Sequence, residues 1–152
     1  MLDKQVIVRK IIRSNSLAGA SILLVKKPGG SFRICVDYRA LNRVTIKNRY
    51  LLPLMTELRE RLIRAKVFTK LDLQNEYHLV CIVEEDEEKI AFHTKLRLYH
   101  WIVMPFGLCN APATFQSMID NIFHDLLDNP VIVYLYDILI YAENVHKHVP
   151  LV

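Results

Sequence analysis

Residues 131–142 read VIVYLYDILIYA, two runs of β-branched and aromatic residues with a single acid, Asp137, between them. Such runs favour extended strands, and a break in the middle marks a hairpin. One reading places a tight turn at Leu135–Asp137, where an acid is tolerated as a turn residue. The other makes Asp137 half of a metal site, with a second acid brought near it. Local spacing leaves both open, and the rest of the sequence bears on the choice.

The chain has 152 residues, 52% hydrophobic and 24% charged, which suits one globular domain with a sizeable core. Asp137 interrupts the best apolar run, so no stretch reaches the roughly 20 residues of a membrane span. The opening MLDKQVIVRKIIRS lacks the apolar core of a signal peptide, so an intracellular protein is expected, neither secreted nor membrane-bound. Cys35, Cys81 and Cys109 are scattered and odd in number, against a disulfide framework or a zinc site. Charge is lopsided. Residues 1–50 carry 11 Lys and Arg against two acids, whereas residues 103–152 carry Lys147 against five acids. A basic third beside an acidic third fits a polyanion held by one and chemistry near the other, although a solvated basic surface reads the same.

ASILLVKK and SFRICVDY read as strands joined by the turn PGGS. Residues 53–65 read as an amphipathic helix, with Pro53 near its start. VFTKLDL, ending near Asp72, YHLVCIV and LYHWIVM are expected as strands, EEDEE as an acidic turn, and KIAFHT follows it. A long helix is expected at about 110–127, capped by Asn110, with Phe115, Met118, Ile119, Ile122, Phe123 and Leu126 at helical spacing. Strands mixed with two good helices make the fold class α+β. Asp72 and Asp137 each end or interrupt an apolar strand, where an acid is costly unless exposed, paired or bound to metal.

Taken in order, VKKPGGSFRICVDYRALN, KVFTKLDL, AFHT, VMPFGLCNAPATFQ and YLYDILIY resemble the reverse transcriptases of gypsy-type long-terminal-repeat retrotransposons, from about Ser16 to about His148. The resemblance implies a single partial reverse transcriptase domain over 1–152. Residues 16–66 would be mostly fingers, and 67–148 mostly palm with an interleaved fingers segment. The palm would be an antiparallel sheet backed by helices, and the chain stops before the family's thumb. The implied activity is templated DNA synthesis by a nucleotidyltransferase using Mg2+ (or Mn2+). The implied partners are an RNA template, a DNA primer, deoxynucleoside triphosphates and the rest of a retrotransposon polyprotein.

The resemblance also assigns residues. Asp72 and Asp137 match catalytic metal ligands. Two-metal phosphoryl transfer needs clustered carboxylates, because magnesium prefers oxygen donors. Where the family has a second hairpin aspartate this chain has Tyr136, a phenol that is neutral at pH 7 and a poor magnesium ligand. Lys27 and Arg33 match residues that grip the triphosphate. Asn75, Glu76, Tyr77, Phe106, Gly107 and Leu135 match the nucleotide pocket, with Tyr77 as the gate beneath the sugar. Asp37, Tyr38, Arg39, Asn42 and Gln116 match template-facing positions.

The chain also departs from the family pattern. Glu76 stands where a small residue is usual beside the triphosphate, and Arg97 replaces a turn glycine, where a positive φ is expected. Ser14, Leu17 and Leu51 replace prolines, and Leu79 replaces glutamine. Several of these changes are single transitions at a C·G pair, so a decayed, catalytically impaired copy is expected. The alternative is a non-enzymatic nucleic-acid-binding or protein-interaction domain derived from a retrotransposon.

Overall fold

Alternating side chains and paired strand segments organise the computed structural model. It describes residues 10–26, 30, 32–51, 53–127, 130–135 and 137–152, and of Arg33 the backbone alone. In chain order the elements are β1 (Ile11–Arg13), β2 (Ile22–Lys26), β3 (Phe32–Val36), α1 (Arg39–Val44), α2 (Met55–Arg61) and β4 (Val67–Asp72). They continue with α3 (Glu84–Glu87), β5 (Phe92–His93), β6 (Leu98–Trp101), α4 (Ala111–Ile122), β7 (Val131–Tyr134), β8 (Asp137–Ala142) and α5 (Val145–His148). Helices and antiparallel sheets share one chain, so the α+β class holds.

The chain divides into two compact units, Met1–Lys47 with Tyr77–Ala111, and Asn48–Glu76 with Pro112–Val152. In the first unit, β2 and β3 form the hairpin that ILLVK and FRICV specify. A second sheet has the order β1-β6-β5. Its core gathers Ile11, Val36, Tyr38, Ile90, Phe92 and Trp101. Ile11 of β1 pairs with Trp101 and is wholly buried.

YHLVCIV does not form the expected strand. Glu76–Leu79 is a 3-10 turn, and the segment touches its neighbour through one isolated bridge, Cys81 to Val103. Tyr77 and His78 both turn onto aromatic partners, Phe106 and Trp101, which strict alternation along a strand would not allow. The acidic turn EEDEE is in fact a single helical turn, α3, continued by a 3-10 turn at Glu88–Ile90. Arg97 does not take up a positive φ: among the described non-glycine residues, Asn75 and Leu135 do. Thr94 closes the turn instead, its Oγ1 donating to Arg97 O and accepting from Arg97 N, so glycine's freedom is not needed.

The second unit is built on the sheet β4-β8-β7. Ile138, Ile140 and Ala142 of β8 are buried, and Asp137, Leu139 and Tyr141 alternate with them on the more open face. On β4, Phe68, Lys70 and Asp72 share that open face, since they pair with Tyr141, Leu139 and Asp137. Helix α4 is shorter than its apolar pattern, ending at Ile122, and it buries Phe115 and Ile119 completely or nearly so. The Asn110 side chain is turned to Ile46, donating from Nδ2 to its carbonyl.

Candidate active site

The two acids meet through strand register. Asp72 is the last residue of β4 and Asp137 the first of β8, and the two are direct cross-strand partners. Directly opposed residues of an antiparallel pair lie on one face with Cβ atoms about 4.5–5.5 Å apart. The two acidic side chains therefore leave the sheet side by side on one face. Asp137 also faces Tyr134 across the hairpin. Asp72 is exposed and Asp137 half-buried, so neither acid sits in the apolar interior that the surrounding letters imply. Period-2 alternation puts Asp137 on the open face while Ile138 goes to the core.

Lys70, two residues before Asp72, shares this face, and its Nζ lies 2.9 Å from Asp137 Oδ1. Sequence reasoning assigned it no role, although its spacing from Asp72 along a strand signals the shared face. Two oxygen-donor acids on facing positions, partly open to solvent, fit one hard divalent cation held between them. Among the described residues no group of three or more His, Cys, Asp or Glu comes together. Tyr136, where the resemblance leads one to expect a second acid, lies outside the described residues, as does Lys27.

The hairpin tip has a support of its own. Leu135 holds a left-handed φ of 55°, an unusual conformation for a branched residue. Its N–H donates to Gln116 Oε1 at 2.7 Å, and Gln116 Nε2 donates to Asp120 Oδ1 at 2.8 Å and towards Val133 O at 3.4 Å. Tyr50 in turn donates its hydroxyl to Asp120 Oδ2 at 2.6 Å. Gln116 is wholly buried. It thus acts on the turn, not at the surface, where the resemblance had set it facing a template.

Asn75, also at a φ of 55°, and Glu76 follow β4 in the same unit as the acids. Tyr77, Phe106 and Gly107 belong to the other unit. There Tyr77 is buried with its ring edge-on to Phe106 at 4.8 Å between centroids. Gly107 has a φ of 102°, which glycine alone adopts freely, and its carbonyl accepts from Asn42 Nδ2 at 2.7 Å. Asn42 Oδ1 accepts from Cys109 N, so both ends of this amide hold the loop after Phe106. Tyr38, expected at the template, is buried and donates its hydroxyl to Ile90 O at 2.8 Å. Burial pushes the phenol far above its ordinary range, against a smaller pull downward from Trp101. Asp37 and Arg39 form a two-pronged ion pair at 2.7 and 2.9 Å, and the guanidinium holds the Asp37 carboxyl down at about 2.

His78 stacks on Trp101 and lies 2.9 Å through Nδ1 from Lys10 Nζ. Burial first, and the Lys10 charge second, push its pKa down to about 4. The unfolded chain takes up a proton below about 6.5, which the folded protein refuses until about pH 4. The stability associated with neutral His78 is complete above the unfolded value and lost as pH falls from about 6.5 towards about 4. His78→Phe, which keeps the stack, is expected to flatten the pH dependence of the urea midpoint in this window. An unchanged slope would place the titration elsewhere.

The family described as reverse transcriptase (RNA-dependent DNA polymerase) matches residues 25–152. An RNA-directed DNA polymerase homolog of Oenothera berteroana is 45% identical over 122 residues, covering 78% of this chain and 86% of that protein. A retrovirus-related Pol polyprotein from transposon 297 of Drosophila melanogaster is 42% identical over 127 residues, covering 81% of this chain but 12% of the polyprotein. The foamy viral protease-reverse transcriptase, solved in complex with an RNA/DNA hybrid, superposes with a TM-score of 0.87 at 24% identity. That match covers 99% of this chain and 20% of the viral one, and it shows a shared fold. No helix among the described residues is long and apolar enough to cross a membrane.

Proposed function

The chain belongs to the reverse transcriptase (RNA-dependent DNA polymerase) family, and from that premise we propose that it is the fingers and palm portion of a gypsy-type retrotransposon polymerase with a weakened metal site. The unit containing β4, β7 and β8 is read as palm and the other as fingers. The observation that carries the proposal is the direct register pairing of Asp72 with Asp137. Bound magnesium would supply charge stabilisation to the oxygens of an in-line phosphoryl transfer. Asp72 and Asp137 are the residues that would hold it. Gln116, by fixing the backbone at Leu135, keeps Asp137 aimed at Asp72.

In this reading Tyr77, Phe106 and Gly107 are nucleotide-binding residues of the fingers unit, and Asn75, Glu76 and Leu135 are nucleotide-binding residues of the palm unit. Lys27 and Arg33 hold the triphosphate, and Arg39 is the exposed member of the template-side segment. The partners are an RNA template, a DNA primer and deoxynucleoside triphosphates, within the larger polyprotein. Tyr136 offers no anionic oxygen at pH 7, and Glu76 adds negative charge where the triphosphate belongs, so turnover is slow.

The test joins the chain to the thumb of a relative and follows magnesium-dependent extension of a DNA primer on an RNA template. Slow extension that Asp72→Asn extinguishes is expected. Extension that survives Asp72→Asn unchanged sinks the reading, because the pair is then not the metal site.

A further inference from the structure

We propose that Lys70 is a built-in counter-ion of the acid pair: its ammonium holds Asp137 in the cation-free protein and competes with the divalent cation for that carboxylate. The inference rests on the reading of Asp72 and Asp137 as metal ligands and concerns how that site is regulated.

Two like charges directly opposite on an antiparallel pair repel each other. The register forces this arrangement on Asp72 and Asp137. Lys70 lies diagonally across from Asp137 on the same face, and its Nζ reaches Asp137 Oδ1 at 2.9 Å. The other described residues paired on that face, Phe68, Leu139, Tyr141 and Tyr134, carry no positive charge. The lysine side chain is 60% exposed and that of Asp137 40%. An ion pair this open is weak enough to be exchanged, and the displaced ammonium swings into water without a burial cost. Lys70 therefore relieves the repulsion when no metal is bound, and it lowers cation affinity because one positive charge must leave as another arrives. In a chain with Tyr136 in place of an acid, that competition acts on a site already short of negative charge.

The experiment measures Mn2+ binding to the full 152-residue chain by the loss of the free-ion electron paramagnetic resonance signal. The proteins compared are wild type, Lys70→Met, Lys70→Arg and Asp72→Asn. Removing one positive charge at contact range is expected to tighten Mn2+ binding by about threefold to tenfold in Lys70→Met. Lys70→Arg, which restores the charge, returns to the wild-type value. The cation-free Lys70→Met protein melts at a lower temperature than wild type, and added Mn2+ narrows that gap. Should Lys70→Met misfold, Lys70→Gln serves the same comparison. Equal or weaker Mn2+ binding in Lys70→Met, with binding still lost in Asp72→Asn, overturns the role of Lys70 and leaves the metal site standing. No Mn2+ binding in any of the proteins, or binding indifferent to Asp72→Asn, overturns the metal site and the Lys70 role with it.

Discussion

Tyr136→Asp is expected to raise magnesium-dependent primer extension by on the order of a thousandfold once the chain is joined to a thumb, since an anionic metal ligand contributes several kcal/mol to the transition state. A tyrosine hydroxyl stays protonated at pH 7 and offers the ion a neutral donor, whereas a carboxylate offers charge. Recovery is expected to be incomplete, because in the proposed reading Glu76 still opposes the triphosphate, and Tyr136→Asp with Glu76→Ala should exceed Tyr136→Asp alone. In that reading the two changes touch one nucleotide, so their effects need not add. Asp72→Asn in the repaired background returns the rate to background, since an amide cannot replace the anionic partner of Asp137. Single-nucleotide extension under saturating primer–template measures all four proteins. A parent chain already within about tenfold of the repaired one would mean that Tyr136 is tolerated and the copy is active.

The second large effect concerns Gln116. Gln116→Leu keeps the volume but removes the acceptor for Leu135 N–H and the donor to Asp120 and Val133. A buried polar group left without its partner costs about 1–3 kcal/mol, and here a left-handed residue loses the bond that secures it. The expected loss is about 2–3 kcal/mol in urea unfolding. Mn2+ affinity should fall with it, because the hairpin tip that aims Asp137 is loosened. Gln116→Glu keeps the acceptor yet sets a second carboxylate against Asp120, and it is expected to be no less damaging. A cost below about 0.5 kcal/mol, the range of an ordinary surface substitution, would show that the turn holds its shape without this amide.

Much of the architecture could be read along the chain because it is written in local periods. The strand-like runs ILLVK and FRICV, either side of PGGS, pointed to the first hairpin, and VFTKLD and DILIYA to two strands of the second sheet. The spacing of Phe115 and Ile119 marked α4. The ordered segments from VKKPGG to YLYDILIY pointed to the family before any contact was known.

The chain by itself also determined that Asp72 ends a strand, that Asp137 interrupts an apolar run, and that Tyr136 is not an acid. The structure moved Asp137 from the expected turn into the first position of β8. Only the tertiary structure decided that the two acids face each other. Register between β4 and β8 is a relation between distant segments, set by which faces both strands bury. The same limit explains the residues that changed roles. Tyr38 and Gln116 look like surface polar groups in their own segments, but partners far along the chain, Ile90 in one case and Leu135 in the other, turn them inward. YHLVCIV has strand-like letters, yet aromatic neighbours drew Tyr77 and His78 out of alternation. Lys70 is one letter in TKLDL until the sheet sets Asp137 diagonally across from it and its charge acquires a partner.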